Sequence, residues 1–295
     1  MAYARFAPMN SAASARPALW RVIAGAVSAI LLLVAWLSAV AVFFSLTQGI
    51  AFFQALPAVT SGDPATPEGA LKYLLIVGGL GFTTLLAARF WQQRPAMSLT
   101  GPPARTLRHF VVAMAITFAV AGVMMLIPGP EDASIERNME LGLWLWWLPF
   151  ALFAIAAQTG AEELFFRGYL QSQFAARFRS PLIWLTIPAI AFGAAHYVPG
   201  LSTQTAWAYV GFATLFGLLA GDLTARTGSI GAAWGLHFAN NTIAVAIVAV
   251  DGTLSGLGLF RSTAGLAHLS DLSPWILADL GALVLVWLLL RRVLD

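Results

Sequence analysis

Glu162 and Glu163 stand side by side, with Arg167 four residues beyond the second, in a stretch otherwise apolar enough to span a bilayer. An ionised group at membrane depth costs on the order of 3 kcal/mol, so such residues mark relays, transport paths or reaction centres. Further along, His196 follows Phe192 by four residues, and His237 is followed by Asn240 and Asn241. At about 100° per residue, His237 and Asn241 fall one turn apart on one helix face, Cβ atoms about 5–6 Å apart, and can address one bound group together. Glu163 and Arg167 share that spacing with the acid N-terminal to the base, the favourable order for an intrahelical pair. Glu162 is rotated away from that pair, which leaves its carboxylate to meet a partner on another helix.

These residues supply the parts of a hydrolase. The chain has no cysteine, so thiol nucleophiles, disulfides and thiolate metal sites are excluded. Glu162 suits a general base that takes a proton from water and returns it to a leaving amine. His196 holds the water or shares its proton, while the Asn241 amide and an N–H of His237 stabilise the oxyanion of an attacked carbonyl. Arg167, paired with Glu163, limits the electrostatic cost of adjacent acids. The same acids and histidines also read as a proton relay, in a proton-coupled transporter or a non-enzymatic immunity factor. Glu162, His196 and His237 form a plausible zinc set with an open fourth position, but the HExxH helix is absent and the histidines lie on separate segments. The expectation is therefore a reaction without a cofactor, with Zn²⁺ as the alternative.

The surroundings of these residues fix the solvent. Hydrophobic residues make up 59% of the chain and charged residues only 10%, against roughly 25% in a soluble domain, so this is an integral membrane protein. Crossing the hydrocarbon takes about 20 mainly apolar residues, and eight segments qualify, near 20–45, 70–91, 107–127, 143–169, 182–198, 206–225, 230–250 and 273–291. The first is too long for a secretory signal core of about 7–15 residues and is expected to be retained. Thirteen arginines fall on one side of this arrangement, whereas Lys72, Arg137 and Arg261 fall on the other. That asymmetry puts both termini in the cytoplasm. Charge that follows topology in this way offers no basic face to nucleic acid, and the fitting location is a bacterial inner membrane, multi-pass.

The expected architecture is all-α: a short mobile cytoplasmic tail over 1–18, then a single transmembrane domain over 19–295 with the chemistry in helices within about 143–250. Pro/Gly-rich stretches at 57–69 and 92–106 read as an outer loop and an inner linker. The outer connections carry Glu131, Asp132, Glu136 and Glu140. Trp144, Trp146 and Trp147 read as interface anchors, and His109 and His268, near span ends, as interfacial. No internal repeat is evident, which disfavours transporter folds built from inverted halves.

Three motifs then come in order on successive segments: Glu162-Glu163-Leu164-Phe165-Phe166-Arg167 fits EExxxR, Phe192 to His196 fits FxxxH, and His237 to Asn241 fits HxxxN. Over residues 143–245 the chain resembles the CPBP (CAAX protease and bacteriocin-processing) intramembrane endopeptidases, also called the abortive-infection family. That resemblance implies an eight-helix, all-α fold and an endopeptidase acting on a membrane-associated protein or peptide, lipidated or not. It implies Glu162 and His196 as the water-activating pair, His237 and Asn241 as the oxyanion-stabilising pair, and Glu163 and Arg167 as support. The family has also been labelled metalloprotease, the zinc alternative above. Nothing in the first three spans or the last names a substrate.

Overall fold

The computed structural model describes residues 3–126, 134–251, 253–263 and 274–294. Glu131, Asp132 and His268 lie outside them. The described chain is mainly helical: α1 (Ala7–Ser14), α2 (Leu19–Gln48), α3 (Phe52–Thr60), α4 (Pro67–Ala87), α5 (Met97–Thr100), α6 (Pro103–Met124), α7 (Leu141–Glu163), α8 (Ser172–Arg177), α9 (Pro181–Ala195), α10 (Thr203–Thr227), α11 (Gly231–Asn241) and α12 (Pro274–Leu294). Short β1 (Ile135–Arg137), β2 (Val248–Val250) and β3 (Phe260–Ser262) form a sheet of order β1-β3-β2, antiparallel at β1/β3 and parallel at β2/β3. The expected all-α class therefore carries one small sheet. Val248 and Val250 favour an extended backbone, and the segment 230–250 leaves the helical path there.

Five helical stretches among the described residues are long and apolar enough to cross a membrane: Leu19–Gln48, Pro67–Gln92, Met97–Met124, Leu141–Arg177 and Thr203–Thr227. The other three expected crossings do not meet that standard there. α9 has 15 residues, about 22 Å of rise, short of the roughly 30 Å of a hydrocarbon core. Its C-terminal cap is His196. Lipid-facing surfaces are unmistakable: Trp36 and Phe43 on α2 are each 65% exposed, and Leu182 on α9 is 76% exposed. Exposed aliphatic and aromatic side chains need hydrocarbon, not water, around such helices.

The N-terminal segment is not a loose tail. Phe6, Met9 and Ala13 are fully or almost fully buried, and Tyr3 and Phe6 pack their rings against Trp184 of α9. Their spacing of three and four residues is a helical apolar stripe, obscured in the sequence by Pro8 and the small residues between. Arg94, 2% exposed, ties this segment down by donating to the Met9 carbonyl, to Ser172 and to Ser98. Its burial pulls the guanidinium pKa down to about 10.

Helix α11 carries the second histidine and must be held close to its neighbours. Gly231 and Gly235 do this against α6, where a Cβ on either would collide with the carbonyl of Thr106 or Phe110. Small residues four apart let two backbones touch, which substitutes inside a membrane for the missing hydrophobic drive between helices. Trp144 bonds the Ala246 carbonyl at 2.7 Å, while Trp146 stays 66% exposed as an interface anchor would. His109, expected at the interface, is buried and bonds Ser229 Oγ at 3.1 Å. The reason is its position on the face of α6 turned to the α10–α11 connection.

Candidate active site

The acids sit where α7 changes form. It is α-helical through Glu163 and widens into a π segment over Leu164–Gln171. A second π segment, Thr242–Ile247, begins just after Asn241. Such wide turns recur at functional sites because they redirect side chains without ending the helix. Neither is visible as a departure from ordinary helical periodicity in the sequence.

Glu163 is fully buried and bonds two cations or donors at once. Arg167 Nη1 donates to its Oε1 at 2.9 Å, and His237 Nδ1 lies 2.8 Å from the same oxygen. Because a carboxylate only accepts, Nδ1 carries a proton, and in the neutral ring the lone pair is then on Nε2. That Nε2 lies 3.7 Å from Glu162 Oε2. The gap is too long for a direct hydrogen bond. It suits one water donating to both acceptors, since Glu162 Oε2 is buried without a protein partner.

The cations and rings around this chain are shared. Arg167, 1% exposed, stacks its guanidinium 4.4 Å from the Phe192 ring centre and 5.9 Å from those of Phe166 and Phe216. Phe192 in turn lies 4.4 Å from the His196 ring and 5.8 Å from that of His237. The motif phenylalanine is thus the hub between both histidines and the arginine. Its apolar bulk excludes water from the Glu163–Arg167 pair, which strengthens that pair and makes its loss costly.

His196 terminates α9 and donates Nδ1–H to the Phe192 carbonyl at 2.8 Å, satisfying one of the orphan acceptors of a helix end. Its Nε2 is therefore the acceptor. The ring faces Tyr209 of α10, 6.0 Å between centres, and Tyr209 also feels the charge of Glu162. Asn241 donates to Gln158 Oε1 at 3.0 Å and its own Oδ1 lies 3.5 Å from Asn240 Nδ2. Gln158 stands one turn before Glu162 on α7, so one helix face holds both the acid and the group that orients the amide.

The structure thus brings Glu162, Glu163, Arg167 and His237 together, Glu163 bonded to both Arg167 and His237 and Glu162 3.7 Å from His237, while Asn241 bonds Gln158, one turn before Glu162. It departs from the expected pairing in one respect: His237 turns both ring nitrogens to the carboxylates rather than standing with Asn241 as an N–H donor. The Glu163 carboxylate wins because two buried partners share its charge. From the sequence, Gln158 stands out only as one of the few polar residues of the fourth apolar segment, with no role attached, and Tyr209 does not stand out. A glutamine four residues before a buried glutamate is a usable signal for the first, and nothing in the local sequence marks the second. Among the described residues, no three His, Asp or Glu side chains are grouped closely enough to hold a metal ion between them.

Comparison with known proteins agrees on the same segment. The chain is 30% identical over 174 residues to the uncharacterized protein YyaK of Bacillus subtilis (strain 168), covering 57% of this chain and 56% of that one. It thus spans about half the length of the curated relative it matches. No solved structure matches it. Residues 142–243 match the family described as type II CAAX prenyl endopeptidase Rce1-like. Every motif and every side chain of the cluster lies within those residues, so the segment of this integral membrane protein that carries the cluster is the one similar to the Rce1-like family.

Proposed function

We propose that this protein is an intramembrane endopeptidase that hydrolyses a peptide bond of a membrane-associated protein or peptide, lipidated or not, with a glutamate-activated water. The observation that carries the reading is the buried chain Arg167–Glu163–His237–Glu162. Its last two members present two acceptors 3.7 Å apart. A water that donates both protons to them points its own lone pairs outward, toward a carbonyl.

In the reaction, the water oxygen bonds the carbonyl carbon as Glu162 takes one proton, and the C=O π pair moves onto oxygen. The Asn241 N–H not committed to Gln158 donates to that oxyanion. Collapse re-forms the C=O and breaks the C–N bond, and Glu162 returns its proton to the leaving amine. His237 is held in its tautomer by Glu163, and Arg167 supplies the charge that opposes the Glu163 carboxylate. His196, its Nδ1 spent on Phe192, offers Nε2 as an acceptor to the water or to the scissile amide. No metal enters the scheme.

The Glu162→Gln variant tests it. Membrane and secreted peptides of cells carrying wild type and variant are compared by mass spectrometry. Cleavage products present only with wild type support the proposal, and identical peptidomes defeat it. Activity that vanishes under a strong chelator and returns with Zn²⁺ would transfer the role of Glu162 and the histidines to a metal. The carboxylate–imidazole–carboxylate chain also suits a proton relay, so the competing transporter reading predicts loss of pH-coupled flux in Glu162→Gln with no change in any cleavage. The proposed setting is a bacterial plasma membrane, both termini in the cytoplasm, following the arginine asymmetry.

A further inference from the structure

A cavity lies at the arginine-rich end of the molecule, among the N-terminal segment, the start of α6, the end of α10 and the end of α12. It has a volume of about 490 Å³ and is lined by Arg5, Arg105, Arg108, His109, Thr227 and Leu294 among others. Among the described residues, no acidic side chain lines it. Arg105 and Arg108 make no ion pair with any described residue, and both stand within the first two turns of α6, whose N-terminus adds partial positive charge. All three guanidiniums act on the His109 ring, which is itself buried and fixed by Ser229.

The walls are built rather than accidental. Gly228 ends α10 in the left-handed conformation at φ 67°, and a Cβ there would collide with the Arg5 carbonyl, so the Arg5 strap lies directly on that turn. Arg5 then reaches across to donate to the Leu294 carbonyl at 2.7 Å, closing the far wall against α12. Four chain segments thus converge on one concave cationic surface.

We propose that this cavity binds a phosphate group, presented by the head group of an anionic phospholipid or by a soluble phosphate. Concave pockets of roughly 300–1,000 Å³ hold small ligands, and arginine forks match phosphate oxygens. Basic pockets between helices on the positive side of a membrane take lipid head groups by the same chemistry. The site is separate from the carboxylate–imidazole cluster, and its occupancy does not depend on the hydrolase reading.

The test uses the full chain in phosphatidylcholine nanodiscs doped with phosphatidylglycerol, with bound lipid counted by native mass spectrometry, and a parallel titration with inorganic pyrophosphate. The Arg105→Gln/Arg108→Gln variant is expected to hold phosphatidylglycerol about tenfold more weakly than wild type. Arg177→Gln/Arg179→Gln, which removes the same charge from exposed positions outside the cavity, is expected to stay near wild type. Arg108→Gln alone serves if the double variant does not fold, and should show part of the loss. Pyrophosphate binding lost in the cavity variant, with lipid retention unchanged, supports the phosphate site and assigns it a soluble ligand. Equal losses in cavity and control variants, or no loss of either ligand in the cavity variant, overturn the proposal.

Discussion

Glu162 and Glu163 are chemically identical neighbours whose surroundings separate their work. Each acid keeps one buried oxygen without a protein partner, but Glu163 is held through its other oxygen by both Arg167 and His237, whereas Glu162 stands 3.7 Å from His237 Nε2. Substitution should split along that line. Glu163→Gln leaves a buried guanidinium without its counter-charge, and removal of one partner from such a pair costs about 3–5 kcal/mol. Thermal unfolding in detergent should show a large loss, with activity falling alongside it. Glu162→Gln removes no formal protein partner and should unfold close to wild type while cleavage drops at least about 10²-fold, the usual contribution of a general base. Equal destabilisation of the two variants would contradict the division. The sequence disclosed the Glu163–Arg167 spacing because four-residue separation on a helix is a local property. That His237 would turn to the same carboxylate was not legible, since it depends on how far α11 slides along α6 and α7.

At the scale of elements, the glycines of α11 and the stripe of the N-terminal segment decide what can come together. Gly235→Val should force α11 away from the Phe110 carbonyl, lower stability by roughly 1–3 kcal/mol as overpacking does, and reduce cleavage, read by thermal unfolding beside turnover. Retention of both would mean that α6 does not set the position of His237. The N-terminal segment offers a pH test. Tyr3 donates to Asp222 at 2.9 Å, and burial, followed by the bond to Asp222 and its charge, raises the phenol pKa above its usual value of 10.0. A group raised on folding stabilises fully below its unfolded pKa and loses that contribution as pH climbs through the folded one. Between pH 10.0 and the higher folded value, the docked segment should loosen. Trp184 fluorescence should report the change in wild type, and Tyr3→Phe should lack it. Helix positions were readable from apolar run length, yet three features were not. The amphipathic stripe at 6, 9 and 13 was hidden by Pro8, α9 ended early, and a strand replaced the last turn of the seventh apolar run. Each depends on tertiary partners that hydropathy does not contain.

For the whole molecule, the distribution of arginine is the testable quantity. Thirteen lie on one side of the expected spans and three basic residues on the other, and the proposed orientation, with the termini inside, rests on that asymmetry. The cysteine-free chain makes the measurement clean. Single cysteines at Ala15 and Arg292 should react with an impermeant maleimide only after the membrane is opened, and a single cysteine at Asp63 should react in intact cells. The reverse pattern would invert the topology and place the cationic cavity on the outer face.

The three short strands have a reach larger than their size. β1 immediately precedes α7, β2 immediately follows the π continuation of α11, and β3 hydrogen-bonds to both. A backbone clasp therefore joins the far ends of the two helices that carry Glu162 and His237. The spacing between a carboxylate and an imidazole is in this way governed from a distance, and tension on the clasp would register first as a change in how widely those two groups stand apart.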